Sequence, residues 1–527
     1  MPGSYDIATV LENFPFYVGL VVVIVLLILL AKRLQVAYPV LLVIGGLAIS
    51  FIPGLPVLHI DPHLIFVIFL PPLLYEAAWS ISWKELWRWR RIIGSFAFVV
   101  VFLTALSVAL VANYYIPGFS LAMGFLLGGI VSPPDAVSAG AIMRFVKVPM
   151  RMASILEGES LLNDASSLII FRFALIAVAT GQFIWYQAAL SFSWMVVGGI
   201  GVGLLVGWIF MKVHRFLHSD ANTDIVLTIV TPYVMYTAAE VAHSSGVLAV
   251  VAGGLFLANN SHLFLSSTSR LRGFNFWENL TFVLNGLVFM FIGLDLPEIV
   301  NGLGSVSLSA AIGYGLLISA VLIVGRILAA YGAVIVTLIM RNFITVADAR
   351  SPGLKAPLVI GWTGMRGVVS LAAALSIPAD FPQRDLILFI TFVVILCTLV
   401  VQGLTLPFII RNMRLPDPDA VAPEEEVEAL LRKQLADYAL HHLEHKYGEL
   451  LQSDPTLQQM AVKWTNSSAV SDGAMMTAAG KEAYRDILHH QRSWLRAKNR
   501  HEKLLNEELI RKYLRYLDLE EEKLEFV

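Results

Sequence analysis

The 527-residue chain carries 37 Lys+Arg and 39 Asp+Glu, a net charge of −2, with 57% apolar residues, only 14% charged residues and one cysteine. Soluble domains average about 25% charged residues, so this composition excludes one large soluble enzyme. Cys397 has no intrachain partner, which excludes a disulfide framework or a multi-cysteine metal centre, and neither a basic excess for nucleic acid nor a G-x-x-x-x-G-K-[ST] phosphate loop is present.

The charge is unevenly distributed. Residues 1–414 hold 22 Lys+Arg and 18 Asp+Glu, whereas residues 415–527 hold 15 and 21. The first part reads as an all-α polytopic membrane domain and the second as a solvated, helical cytoplasmic tail. No Lys or Arg precedes Lys32, so a cleavable signal peptide with a basic n-region is not expected.

Thirteen apolar spans are predicted, near 16–31, 38–53, 63–80, 92–113, 119–145, 154–180, 188–213, 223–242, 245–260, 277–296, 309–340, 356–378 and 386–410. Loops after odd-numbered spans contain 18 basic residues, among them Arg144, Lys147, Arg350 and Arg414; loops after even-numbered spans contain one, Arg384. Under the positive-inside rule this places the N-terminus outside and the C-terminus in the cytoplasm of a multi-pass protein of the cell membrane.

Taken in chain order, span 3 carries Glu76 towards its cytoplasmic end. Span 5 contains Ser132-Pro133-Pro134-Asp135; two consecutive prolines remove two backbone donors, so the helix is expected to open there. On span 6, Ser160, Asp164 and Ser167 share one helical face, and Glu159 and Asn163 an adjacent one. Span 7 repeats Gly199, Gly203 and Gly207, read as close packing within the monomer rather than as a dimer seam. Span 12 contains Gly361-Trp362-Thr363-Gly364-Met365-Arg366-Gly367, a second break.

The two breaks lie seven spans apart. That odd offset makes spans 1–6 and 8–13 an inverted repeat, with broken helices 5 and 12 meeting at mid-membrane as in secondary transporters. Charges at that depth cost at least about 2.5–3.5 kcal/mol and need protein partners. Asp164 can hold a proton or a metal cation but not both, and that competition is sufficient for exchange. Arg366 is expected to pair with Glu159, tying one break to the helix facing the other. Arg172 and Arg326 are left as structural charges without an assigned partner.

Five segments together carry a family resemblance: Phe69–Ala78, Ser132–Val137, Gly158–Ala165, Asn285–Gly293 and Gly361–Ser370. Through them the chain resembles the bacterial monovalent cation:proton antiporters of the cation:proton antiporter-1 family, related to animal and plant sodium/proton exchangers, over nearly all of 1–414. The Asn163–Asp164 pair resembles the electroneutral branch, which implies one proton exchanged per Na⁺ at Asp164. The resemblance also implies cation-site roles for Asp135, Ser160 and, nearer the entrance, Glu76. Asn163 would orient the site, and Glu159 with Arg366 would form the core ion pair. It further implies a homodimer with stationary interface spans 1–3 and 8–10 and an elevator-like core of spans 4–6 and 11–13. Many members have Thr where this chain has Pro134, so a hydroxyl is lost although the Pro134 carbonyl can still face an ion.

The tail begins after Pro416-Asp417-Pro418-Asp419, a helix stop, and its spacing through Val427, Leu430, Leu431, Leu435 and Tyr438 predicts amphipathic helices. His441-His442-Leu443-Glu444-His445 matches H-x-x-E-H; without an assignable distal carboxylate it is read as an exposed helix face, not as zinc catalysis. The expected protein is therefore not an enzyme but an antiporter of Na⁺ or Li⁺ against H⁺. Its partners are monovalent cations, protons, the lipid bilayer and a second copy of itself, with no cofactor and no nucleic acid. K⁺/H⁺ or broad cation exchange is the alternative within transport. A membrane-anchored regulator acting through the tail is the alternative outside it.

Overall fold

The computed structural model describes residues 7–52, 65–143, 146, 148–181, 185–217, 220–304, 306–342, 353–378, 380–413, 415, 424–466, 478–501 and 506–526. The Pro416–Asp419 stop and the basic residues Arg144, Lys147, Arg350 and Arg414 lie outside the described residues. The described secondary structure is helical.

Among the described residues, nine helices are long and apolar enough to cross a membrane: Pro15–Leu34, Trp83–Tyr115, Met150–Thr180, Ala189–Leu217, Ala221–Val241, Gly246–Phe264, Ser267–Asn301, Leu308–Met340 and Arg384–Met413. Three apolar helices are shorter: Tyr38–Ser50, Val67–Ser80 and Leu121–Val131. Length alone therefore yields nine spans, not thirteen. The difference has a physical cause in two places. The predicted span 5 is divided into Leu121–Val131 and Ala136–Met143, and the predicted span 12 into Lys355–Trp362 and Val368–Leu375.

The chain forms two compact units. The first comprises Met1–Val213, Val226–Asn260 and Trp277–Pro416. Its interior includes an apolar cluster around Val40, Phe289, Ile292 and Met365 and another around Leu126, Leu127, Ile318 and Phe389. Gly199, Gly203 and, less tightly, Gly207 face helix Gly246–Phe264 of the same chain. A side chain at Gly203 would collide with the Ala249 carbonyl, so the stripe permits close helix approach within the monomer. Helix Arg384–Met413 is interrupted by a π-helical turn at Thr398–Gln402, a distortion that recurs at functional sites.

The second unit comprises His214–Ile225, Ser261–Phe276 and Asp417–Val527. Its helices Glu424–Ser453, Pro455–Asn466, Ala478–His501 and Glu507–Phe526 bury Leu431, Leu435, Leu488, Leu495, Ile510 and Leu517. Leu430 departs from the predicted apolar face and is exposed. Tyr438 instead stacks on Trp494, with ring centroids 5.7 Å apart. Asp518 is buried and accepts from both Arg270, at 2.5 Å, and Arg492, at 2.9 Å. Membrane-flanking residues 261–276 thus belong to the same unit as the tail helices.

Candidate functional site

Helix Leu121–Val131 stops because Pro133 and Pro134 cannot donate to the preceding turn. The chain re-enters a helix at Ala136, and Asp135 makes the junction. Its carboxylate accepts from the backbone N–H groups of Val137 (3.1 Å) and Ser138 (3.2 Å) and from the Ser138 hydroxyl (2.6 Å). Asp135 is therefore an N-cap, satisfying donors that a helix start leaves open. Its own N–H donates to the Met365 carbonyl at 2.7 Å. The two helix breaks are thus joined backbone to backbone.

The opposing break is held similarly. The Arg366 N–H donates to the Thr398 hydroxyl at 3.1 Å, and that hydroxyl donates to the Val394 carbonyl at 2.8 Å. The π-helical turn at Thr398 consequently supports the span-12 break. Gly367 is required by close approach: a Cβ there would strike the Asp135 carboxylate.

Helix Met150–Thr180 supplies the remaining groups. The Asn163 amide donates to the Pro134 carbonyl at 3.3 Å, and the Ser160 hydroxyl to the same oxygen at 3.4 Å. The structure therefore brings Pro134, Ser160 and Asn163 together. Asn163 Oδ1 is buried and receives no donor from the described residues. Asp164 is only 8% exposed, and its carboxylate receives no hydrogen bond from any described residue. Among the described residues, the Asp135 carboxylate accepts three hydrogen bonds from its cap and the Asp164 carboxylate accepts none. Ser167 turns its hydroxyl back to the Asp164 carbonyl, at 3.0 Å, and is a helix-internal bond. Glu76 is half-buried on helix Leu70–Ser80, which packs against the Asp164 helix. It is not hydrogen-bonded to Asp135, Asn163 or Asp164.

One expected contact is corrected. Glu159 pairs with Arg326, not with Arg366. Arg326 donates Nη1 to Glu159 Oε1 at 2.6 Å and Nη2 to Oε2 at 2.9 Å, with both residues buried. The Arg366 guanidinium instead donates to the Gly364 carbonyl at 2.8 Å. The reason is steric and directional. Arg326 projects from the continuous helix Leu308–Met340, and a side chain at Gly364 would collide with its stem. The guanidinium so placed forms a two-bond fork with the carboxylate. Arg172, the other unassigned cation, reaches Glu240 at 2.9 Å in a half-exposed pair.

Sequence reasoning missed Ser138 and Thr398, the role of the Met365 carbonyl and the partner of Arg326. Ser138 had a signal, because it stands three residues after an Asp at a helix start. Arg326 had one too: two mid-membrane arginines competed for one nearby glutamate. Chemically, the assembly offers a buried carboxylate, an amide oxygen and an unwound carbonyl. This oxygen set suits a hard monovalent cation at a helix break.

These features have known counterparts. A family model described as "Sodium/hydrogen exchanger, transmembrane" matches residues 19–412. A "Sodium, potassium, lithium and rubidium/H(+) antiporter" of Bacillus subtilis (strain 168) is 36% identical over 385 residues, covering 69% of this chain; the chain spans 56% of that protein's length. An uncharacterised Na(+)/H(+) exchanger of Mycobacterium tuberculosis (strain ATCC 25618 / H37Rv) is 31% identical over 532 residues, covering 96% of this chain and 95% of its own. The fold is similar to that of the sodium proton antiporter MjNhaP1 from Methanocaldococcus jannaschii at pH 8, with a TM-score of 0.59 and 18% identity over 77% of this chain and 99% of that one.

Proposed function

The chain belongs to the sodium/hydrogen exchanger family and is a secondary monovalent cation/proton antiporter, not an enzyme; from this premise we propose that it exchanges Na⁺ for H⁺ at one site centred on Asp164. The observation that carries this reading is the Asp164 carboxylate itself, buried and without a donor among the described residues. A proton or a cation can neutralise it, and each excludes the other. Ser160 and Asn163 share the Asp164 helix and both donate to the Pro134 carbonyl, which supports reading these three as the source of further oxygens, with Asp135 at the break as a second negative charge. Glu76 is read as an acid on the route to the site.

The wider architecture is read in the same terms. Tyr38–Ser50, Val67–Ser80 and the two divided helices supply the four spans beyond the nine long ones. Thirteen spans, inverted repeats and an outside N-terminus follow from that reading and from the distribution of Lys and Arg. The transport domain is taken as 1–414 and the regulatory tail as 415–527. The protein would work as a homodimer, with spans 4–6 and 11–13 carrying the ion in an elevator-like step against spans 1–3 and 8–10.

K⁺/H⁺ or broad cation exchange is the second reading. It is favoured by the name of the Bacillus subtilis relative, which includes potassium and rubidium, and by Pro134, which supplies a carbonyl but no hydroxyl. Ion-driven pH change in proteoliposomes, compared for Na⁺, Li⁺ and K⁺, tests both. Responses to Na⁺ and Li⁺ alone support the first reading, an equal K⁺ response supports the second, and no response to any cation refutes both.

A further inference from the structure

The tail contains a side-chain cluster that ion exchange does not use. Helix Glu424–Ser453 carries His442, and helix Ala478–His501 carries Asp486 and His490 one turn apart. His442 Nε2 lies 3.2 Å from Asp486 Oδ2, and His490 Nε2 lies 3.7 Å from Asp486 Oδ1. The two imidazole rings are 3.9 Å apart between centroids. One ligand atom from each of the three residues lies within 4.8 Å of the other two. We propose that His442, Asp486 and His490 form a binding site for a divalent first-row transition metal, best suited to Zn²⁺, that clips the two tail helices together.

The ligand chemistry selects the class of ion. Two imidazoles and one carboxylate suit Zn²⁺, Co²⁺ or Ni²⁺ rather than Na⁺, Ca²⁺ or Mg²⁺, which prefer all-oxygen surroundings. Ligand atoms about 2.0–2.2 Å from a tetrahedral Zn²⁺ lie about 3.3–3.6 Å from one another, close to the 3.2 and 3.7 Å of the two contacts with Asp486, so side-chain adjustment suffices. All three residues are partly exposed, which leaves a path for the ion and a fourth position for water. Asp486 already accepts from Lys446, at 2.6 Å, and from the Tyr447 hydroxyl. Lys446 is exposed and held by that contact at its tip, so an arriving ion competes with it for the carboxylate. The H-x-x-E-H run is thereby divided. His442 turns inward to the cluster, while His441 and His445 lie exposed one turn apart, with ring centroids 6.2 Å from each other. That outer pair is the rival location for a metal.

The test uses the full chain in detergent, with any polyhistidine tag removed, titrated with Zn²⁺ alone and with Co²⁺ alone. Visible absorption of Co²⁺ reports its coordination, and thermal unfolding reports stabilisation by Zn²⁺. The expected result is one saturable equivalent, a Co²⁺ band and a Zn²⁺-dependent rise in unfolding temperature. His442→Ala and His490→Asn should each remove all three, and Lys446→Ala should tighten binding by removing the competing ammonium. The double variant His441→Ala, His445→Ala should bind as the parent does. His490 is the most exposed ligand, so His490→Asn keeps the test decisive if His442→Ala does not fold. Absence of saturable binding overturns the proposal. So does binding that survives His490→Asn or disappears with His441 and His445.

Discussion

Glu159 and Arg326 meet through two parallel hydrogen bonds, 2.6 and 2.9 Å long, between helices that lie far apart in sequence. Neither side chain is exposed by more than 4%. A pair so buried is costly to break by halves, because the remaining partner is left charged and unpaired.

Glu159→Gln and Arg326→Gln are each expected to lower stability by about 3–5 kcal/mol, and the double substitution should recover part of the loss. Thermal unfolding in detergent measures this. The same cycle with Arg366→Gln in place of Arg326→Gln should show weaker coupling, because Arg366 makes its hydrogen bond to the Gly364 carbonyl and meets Glu159 only as a nearby charge. Strong coupling to Arg366 and none to Arg326 would restore the pairing expected from sequence.

Asp135 caps a helix and, in the proposed site, also supplies a negative charge; the two duties are separable. Asn caps helices about as well as Asp, so Asp135→Asn should leave the unfolding temperature near that of the parent. It removes the negative charge beside Gly367 and should severely weaken apparent cation affinity. Asp135→Ala should also cost about 0.5–2 kcal/mol of stability by losing the cap. An unchanged cation affinity in Asp135→Asn would make this residue a cap and nothing more.

The helix breaks were legible in the sequence because Pro133–Pro134 and the span-12 glycines act locally, on their own backbone. The face shared by Ser160, Asp164 and Ser167, with Glu159 and Asn163 on an adjacent one, could be read because helical periodicity is also local; that Ser167 turns its hydroxyl back to the Asp164 carbonyl could not. The partner of Glu159 was not, since choosing between Arg326 and Arg366 depends on which helix lies alongside, and on the space left by Gly364. Nor was the His442–Asp486–His490 cluster. The local H-x-x-E-H pattern drew attention to His441 and His445, whereas His442's partners come from a different tail helix. Short helices such as Tyr38–Ser50 show the opposite limit: apolar composition found them, but length alone does not identify them as spans.

The proposed exchange site draws no residue from the tail. Truncation after Arg414 should therefore leave cation-driven proton flux intact while shifting its pH profile. Proteoliposomes of the truncated protein measure both. A truncated protein that folds and dimerises yet transports nothing would place the tail inside the transport mechanism.

Exchange at a single carboxylate should be electroneutral. If Asp164 alone trades H⁺ for Na⁺ and Asp135 keeps one protonation state, the moving core carries equal charge in both directions. One uncompensated charge would couple to the potential by about 2.3 kcal/mol per 100 mV. Clamping the potential with K⁺ and valinomycin, under conditions where K⁺ is not itself transported, should leave the end-point pH gradient unchanged. A gradient that follows the imposed potential would require a second titrating acid, with Asp135 the first to examine.

The most direct measurement is Na⁺-driven proton flux by Asp164→Asn in proteoliposomes, with expression and dimerisation of the variant checked against the parent. Asn preserves the volume of the side chain and removes a buried carboxylate of the proposed site that receives no donor from the described residues. The predicted result is a folded dimer with no Na⁺-dependent flux at any pH. Robust Na⁺-driven proton flux from this variant would contradict the assignment of Asp164 as the group that H⁺ and Na⁺ share.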